Sequence, residues 1–231
     1  MIISVHIPKT AGRSFQQSLQ AQYGERLLAD YGDWLEIHTP QAQSHNQGRR
    51  EQAIAALDGI TSGYDVIHGH FKATKYVGVF PVTDLLCFVR DPYQHALSAH
   101  AQGRRLAEAA PWSGADPSVE RFRSRGMSLF EMVEAFPNLQ SYFVDNVSLE
   151  DFALIGLTDQ YERSLALFAR VFGVALREAA QQVNANPDQA APSYDISAEV
   201  RRFIDSRQGQ DVELYRMANE RFERLARQYG L

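Results

Sequence analysis

Two hydrophobic periods alternate along this chain. Segments of strand length, rich in apolar residues, occur at 2–6, 65–69, 84–89 and 152–156. Between them the apolar positions open to a helical spacing. One helix is predicted from about Arg13 to Gln22 and another from about Pro92, and a third carries Tyr161, Leu165, Phe168 and Phe172 at spacings of four, three and four. Apolar strands separated by amphipathic helices predict an α/β fold, with a mainly parallel central sheet and helices on both faces. The C-terminal third turns helical, with Ile196, Val200 and Ile204 on one stripe and Leu214, Ala218, Phe222, Leu225 and Tyr229 on another. These stripes read as core packing, and the alternating Arg and Glu beside them as a solvated face. Gln41 to Arg50 is polar and predicts a loop. Pro111 to Gly126 mixes Pro, Gly, Trp and Arg, as a long excursion from the core would. Residues 1–231 read as one domain.

Composition narrows the partners. The chain has 231 residues, 23 basic and 28 acidic, for a formal charge of −5, which disfavours a general nucleic-acid coat or a polybasic membrane binder. With 45% hydrophobic and 22% charged residues, the composition is globular, and roughly 70% of the unfolded surface is expected to be buried. A single cysteine, Cys87, excludes an internal disulfide and any multi-cysteine metal site and fits a reducing compartment. No stretch approaches the roughly 18 apolar residues of a membrane span. Met1 to Ile7 ends at Pro8 without a charged leader, so it reads as a first strand rather than a signal peptide. Lysine is the outlier: 20 of the 23 basic residues are Arg, and Lys occurs only at 9, 72 and 75.

The first lysine lies where the first strand meets the first helix, in His6-Ile7-Pro8-Lys9-Thr10-Ala11-Gly12-Arg13-Ser14-Phe15. First-turn amides lack intrahelical partners and carry the positive end of the helix dipole, so such a junction binds anions. Gly12 allows close backbone approach, Thr10 and Ser14 supply hydroxyls, and Lys9 adds a mobile charge. A phosphate or sulfate group suits all four features; an ordinary capped turn with an exposed lysine is the alternative. The order of residues is not that of a Walker A loop.

A second junction follows the segment Leu85-Leu86-Cys87-Phe88-Val89-Arg90-Asp91-Pro92. Pro92 suits a first helical turn, and Arg90 emerges at the carboxyl edge of the sheet, where open α/β folds bind ligands. Ser98 lies a little over two helical turns on, at about 80° from Arg90's direction. Arg90 by its planar fork and Ser98 by its hydroxyl suit a second phosphate. The competing reading is an Arg90–Asp91 salt bridge with Ser98 on the helix surface.

Taken together, these two junctions resemble the sulfotransferases that use 3′-phosphoadenosine 5′-phosphosulfate (PAPS), in particular the carbohydrate branch typified by heparan sulfate 2-O-sulfotransferase. Pro8 through Phe15 is similar to that family's 5′-phosphosulfate loop, and Phe88 through Pro92 with Ser98 to its 3′-phosphate motif. Ile155-Gly156-Leu157-Thr158 with Tyr161-Glu162, and Asp211 through Phe222, also look like the family. The resemblance implies a P-loop-like sulfotransferase fold and PAPS as donor. It places the donor on Lys9, Thr10, Ala11, Gly12, Arg13, Ser14, Phe15, Arg90 and Ser98, with Lys9 beside the transferred group. Two positions depart from it: Arg13 stands where many members carry Thr, and His95 where many carry Arg.

Sulfuryl transfer to an alcohol requires removal of the hydroxyl proton, and Asp65-Val66-Ile67-His68-Gly69-His70-Phe71 offers two imidazoles for it. The family has a similar His-Gly-His segment whose second histidine is the base, which implies His70. His68 shares its strand face if the strand continues, to orient His70 or touch substrate. A structural histidine pair and a zinc site completed by His38 or His45 are the competing readings; no further ligand motif supports zinc. Lys72 and Lys75 fit either an anionic acceptor or exposed loop charge.

The function expected from these residues is O-sulfotransfer from PAPS to a hydroxyl acceptor, probed most naturally as a saccharide, by in-line displacement with no metal required. The rivals are a non-catalytic module that binds PAPS or its desulfated product, and an atypical phosphotransferase. Trp112, Arg121, Arg123 and Arg125 form a candidate acceptor wall. No nucleic-acid partner or membrane span is expected, and the setting expected is cytoplasmic.

Overall fold

The computed structural model describes residues 1–34, 39–80, 84–108, 126–176 and 193–231. Its centre is a five-stranded sheet of β1 (Ile2–Val5), β2 (Leu27–Ala29), β3 (Val66–Gly69), β4 (Leu85–Val89) and β5 (Leu154–Leu157). The order is β2-β3-β1-β4-β5, and every neighbouring pair is parallel. Parallel strands need crossovers. These are α1 (Gly12–Tyr23), α2 (Pro40–Ala55), α3 (Leu57–Gly63), α4 (Pro92–Glu108), α5 (Leu129–Ala135) and α6 (Leu139–Val144). After β5 come α7 (Tyr161–Phe172), α8 (Ala198–Arg207) and α9 (Gly209–Gln228). Every residue of β3, β4 and β5 is buried, so both sheet faces are covered at those strands, as the α/β pattern requires. Among the described residues, no helix is long and apolar enough to cross a membrane.

The main core runs through the sheet into the helices, where Phe15 of α1 packs between Phe88 of β4 and Phe168 of α7, with ring centroids at 4.9 and 5.6 Å. The C-terminal stripes are buried as expected at Ile204, Leu214, Ala218 and Phe222. A smaller cluster joins Ala96 of α4, Met132 and Val133 of α5 and Ile204 of α8.

One expectation is corrected. Residues 41–50 form a helix instead of a loop, as part of α2. Thr39 accepts a hydrogen bond from the Ala42 amide at 3.2 Å and Pro40 occupies the first turn, a strong start signal. Ala42 is its one buried residue, so α2 has no apolar stripe for periodicity to detect. β2, three residues of Leu and Ala with no period of their own, is an element the hydrophobic pattern did not predict. The expected excursion from Pro111 lies outside the described residues as far as Arg125.

From β1 the chain goes out to the edge strand β2, returns to β3, then passes β1 to reach β4 and β5. The connections leaving β1 and β4 therefore depart in opposite directions. In open α/β sheets a crevice opens between the carboxyl ends of two such strands, and here those ends carry the two strand-to-helix junctions picked out in the sequence.

Candidate active site

The junction after β1 is held in an uncommon backbone. Lys9 and Ala11 have φ of 70° and 64°, the left-handed region that costs a non-glycine residue on the order of 1 kcal/mol. Ala11 is the N-cap of α1 and has no side chain to cap the first-turn amides. The Thr10 hydroxyl donates to the Ile7 carbonyl at 2.8 Å, fixing the loop from inside, so Thr10 is buried and its hydroxyl proton is not offered to a ligand. Phe15 is corrected more fully: its side chain is core, and its amide donates to the Ala11 carbonyl.

Gly12 is also explained differently than expected. A Cβ there would lie 1.9 Å from the His6 ring, so this glycine makes room for a histidine of the same loop.

Cations gather around the junction. Among the described residues, Lys9, Arg13 and Arg90 make no ion pair. Burial first, then Arg105, Arg90 and Arg13, bring the Lys9 ammonium down from 10.5 to about 8. A largely buried ammonium beside three like charges is an arrangement that an anion would stabilise. Arg13, where the resemblance departs, thus adds charge to the cluster. Sequence reasoning missed Arg105, which sits in the last turn of α4 with no motif to mark it.

The second junction touches the first. Arg90 Nη1 donates to the Lys9 carbonyl at 3.4 Å, and from α4 the buried His95 donates Nε2–H to the Pro8 carbonyl at 2.9 Å. Burial holds His95 down to about 4, so it is a neutral tie rather than a phosphate-side charge. Asp91 accepts from the amides of Tyr93 and Gln94 at the start of α4, and among the described residues no Arg90–Asp91 salt bridge forms. Ser98 is 7% exposed, and its hydroxyl has no hydrogen-bond partner among the described residues.

Next to this pair stands a stack of imidazoles. Ser4 and His68 are register partners on β1 and β3, and with period-two alternation His6 and His70 follow on the same face. His70 donates Nδ1–H to the His6 carbonyl at 2.6 Å, a tautomer that puts its lone pair on Nε2. Its ring lies 4.2 Å from His6 and edge-on to Tyr31 at 4.8 Å. His6 Nδ1 is bonded to the Tyr31 hydroxyl at 2.8 Å, and that hydroxyl donates to Gln16 at 3.2 Å. Burial first, then the neighbouring imidazoles and cations, holds His6 well below the usual range.

His68 is corrected as an acceptor contact. It is 1% exposed, bonded through Nδ1 to Ser4 Oγ at 2.8 Å, and pushed by burial to about 3. It forms a neutral floor under His6, 5.0 Å away. Sequence reasoning assigned no role to His6 or Tyr31. The pairing of Ser4-x-His6 with His68-x-His70 was the signal available for the first; Tyr31 follows a strand that periodicity did not detect.

Neither remaining lysine is an exposed loop charge. Lys75 is 3% exposed, with Nζ 2.6 Å from both Asp30 and Asp33, and Asp30 also accepts from Tyr76 and Arg49. This buried network holds the turn that presents Tyr31. Lys75→Met should therefore lower stability by about 3 kcal/mol, because two buried carboxylates lose their common cation; an unchanged denaturation midpoint would contradict that role. Lys72 pairs with Asp145 at 3.1 Å and lies over the Tyr142 ring.

The zinc reading gains no support. His45 stacks on Trp34 and donates to the Gly32 carbonyl, His38 lies outside the described residues, and among those residues no group of His, Cys, Asp or Glu is placed to hold a metal ion. Compared with protein-family models and with curated proteins, the chain matches none.

Proposed function

We propose that this chain is an O-sulfotransferase of the P-loop-like kind, moving a sulfuryl group from PAPS to a hydroxyl acceptor of the saccharide class. The observation that carries the reading is the meeting of the two strand-to-helix junctions, joined through the Lys9 carbonyl and Arg90, beside a half-buried imidazole whose Nδ1–H is committed to the His6 carbonyl. The residues suit a nucleotide bearing two anionic groups: the first turn of α1 with Lys9 for one, Arg90 with the Ser98 hydroxyl, which has no hydrogen-bond partner among the described residues, for the other.

When bound, the donor supplies a sulfuryl group on a phosphate leaving group. His70 Nε2 takes the acceptor's hydroxyl proton as the acceptor oxygen forms its bond to sulfur. The sulfur–oxygen bond to phosphate breaks with its electron pair left on the phosphate, where Lys9 and the first-turn amides meet the charge. The left-handed backbone at Lys9 and Ala11 sets those amides before a ligand arrives, which reduces reorganisation at the moment of transfer.

Incubation of the chain with PAPS labelled in the sulfate and a panel of saccharides tests the proposal. Labelled saccharide together with adenosine 3′,5′-bisphosphate is the expected result. Binding of the bisphosphate with no transfer to any acceptor would favour a non-catalytic module, and consumption of ATP without use of PAPS would favour phosphotransfer.

A further inference from the structure

At the end of β4, Arg90 is gripped by a side chain from a distant part of the chain. Gln140 of α6 is fully buried. Its Oε1 accepts from the Arg90 amide at 2.8 Å, and its Nε2 donates to the Arg90 carbonyl at 3.0 Å. One carboxamide thus satisfies both backbone groups of the residue after the strand, as a neighbouring strand would, and fixes the direction in which Arg90 leaves the sheet. The grip is itself anchored. Asp211 of α9, also fully buried, accepts from the Gln140 amide at 3.1 Å and from the Ser141 amide and hydroxyl at 2.7 and 2.6 Å. In return Asn138, before α6, accepts from the amides of Gln210 and Asp211. The starts of α6 and α9 cap each other, and Gln140 projects from that joint to Arg90.

A buried amide that only filled space would not need both of its polar ends on one residue. Arg90 makes no ion pair among the described residues, and its guanidinium is tied by one long bond from Nη1 to the Lys9 carbonyl at 3.4 Å, so its backbone is where its exit from the sheet is set. We propose that Gln140, anchored by Asp211, is a positioning residue that gives the crevice its selectivity for a nucleotide carrying a 3′-phosphate. The proposal rests on the reading of Arg90 as the 3′-phosphate contact.

The experiment compares the affinities of adenosine 3′,5′-bisphosphate and adenosine 5′-phosphate, which share the first junction and differ at the second. The wild-type chain should prefer the bisphosphate, and Arg90→Ala should abolish most of that preference. Gln140→Met keeps the side-chain length without the two hydrogen bonds; it should cut the preference about tenfold or more while changing affinity for the monophosphate by less than about threefold. Asp211→Asn loosens the anchor without altering Gln140 and should move the ratio the same way by a smaller factor, which provides a reading even where Gln140→Met does not fold. General loss of structure would weaken both ligands alike. A ratio unchanged in folded Gln140→Met, with the Arg90 effect intact, would overturn the positioning role alone. A wild-type chain without any preference, or an Arg90→Ala chain that keeps it, would overturn the underlying assignment as well.

Discussion

His70→Ala is expected to reduce sulfuryl transfer by about 10² to 10⁴-fold, the range for loss of a positioned general base. Affinity for adenosine 3′,5′-bisphosphate should stay within about threefold, because a base acts on the acceptor and not on donor binding. Geometry sets this expectation. The Nδ1 proton is fixed on the His6 carbonyl at 2.6 Å, and the ring is confined between His6 and Tyr31. The imidazoles beneath it resist protonation, since burial first and then the neighbouring His70 depress both His6 and His68. His70 is the outermost member of this stack and is half-buried. Turnover and bisphosphate affinity measured on the same folded sample decide the matter: near-normal turnover would remove His70 from the chemistry, and loss of donor affinity in proportion would make it a binding group.

Lys9→Ala is expected to lower transfer by about 10² to 10³-fold, as for removal of one preorganised charge beside a leaving group. Lys9→Arg should recover little of it, since a planar fork leaving a left-handed backbone at φ 70° cannot reproduce the compact ammonium. The pH dependence provides an independent check. The Lys9 ammonium titrates at about 8 in the ligand-free chain, whereas a bound anion favours its charged form, so binding takes up a proton as pH rises through that value. Donor affinity should fall above pH 8, approaching a tenfold loss per unit, and Lys9→Ala should lack this limb. Stability moves in the opposite direction. Between about 8 and 10.5 the unfolded chain holds more protons at Lys9 than the folded one does, so this group's contribution rises with pH across that window. Affinity that falls while the Lys9 contribution to stability rises separates ligand linkage from alkaline unfolding. An affinity independent of pH from 7 to 10 would contradict the assignment.

What could be read from the sequence follows from which residues interact locally. The strand segments and the junctions after β1 and β4 are contiguous stretches, and their apolar runs and turn residues were sufficient to locate them. The sulfotransferase assignment came from resemblance and is still a proposal. β2 and α2 were not legible, the first because three residues of Leu and Ala carry no period, the second because its stability comes from a Thr39 cap and fastenings such as His45 on Gly32. The same limit hid the second layer of the site. Gln140 lies 50 positions from Arg90, and Asp211 lies 71 from Gln140, and a buried amide has no sequence pattern of its own. Lys75 was misread for a related reason: its partners Asp30 and Asp33 lie more than 40 positions before it, so the chain offered the charge without its neutralisation.

The tie between His95 and Pro8 has a consequence for what the crevice measures. β1 and β4 are hydrogen-bonded neighbours, with a spacing of about 4.8 Å set by the sheet. His95 and Arg90 then tie the loop after one strand to the segment after the other. The two junctions therefore cannot drift apart or together without breaking these ties. Under the proposed function, such a fixed caliper would reject a molecule whose two charges are too close or too far apart even when each charge alone would be welcome.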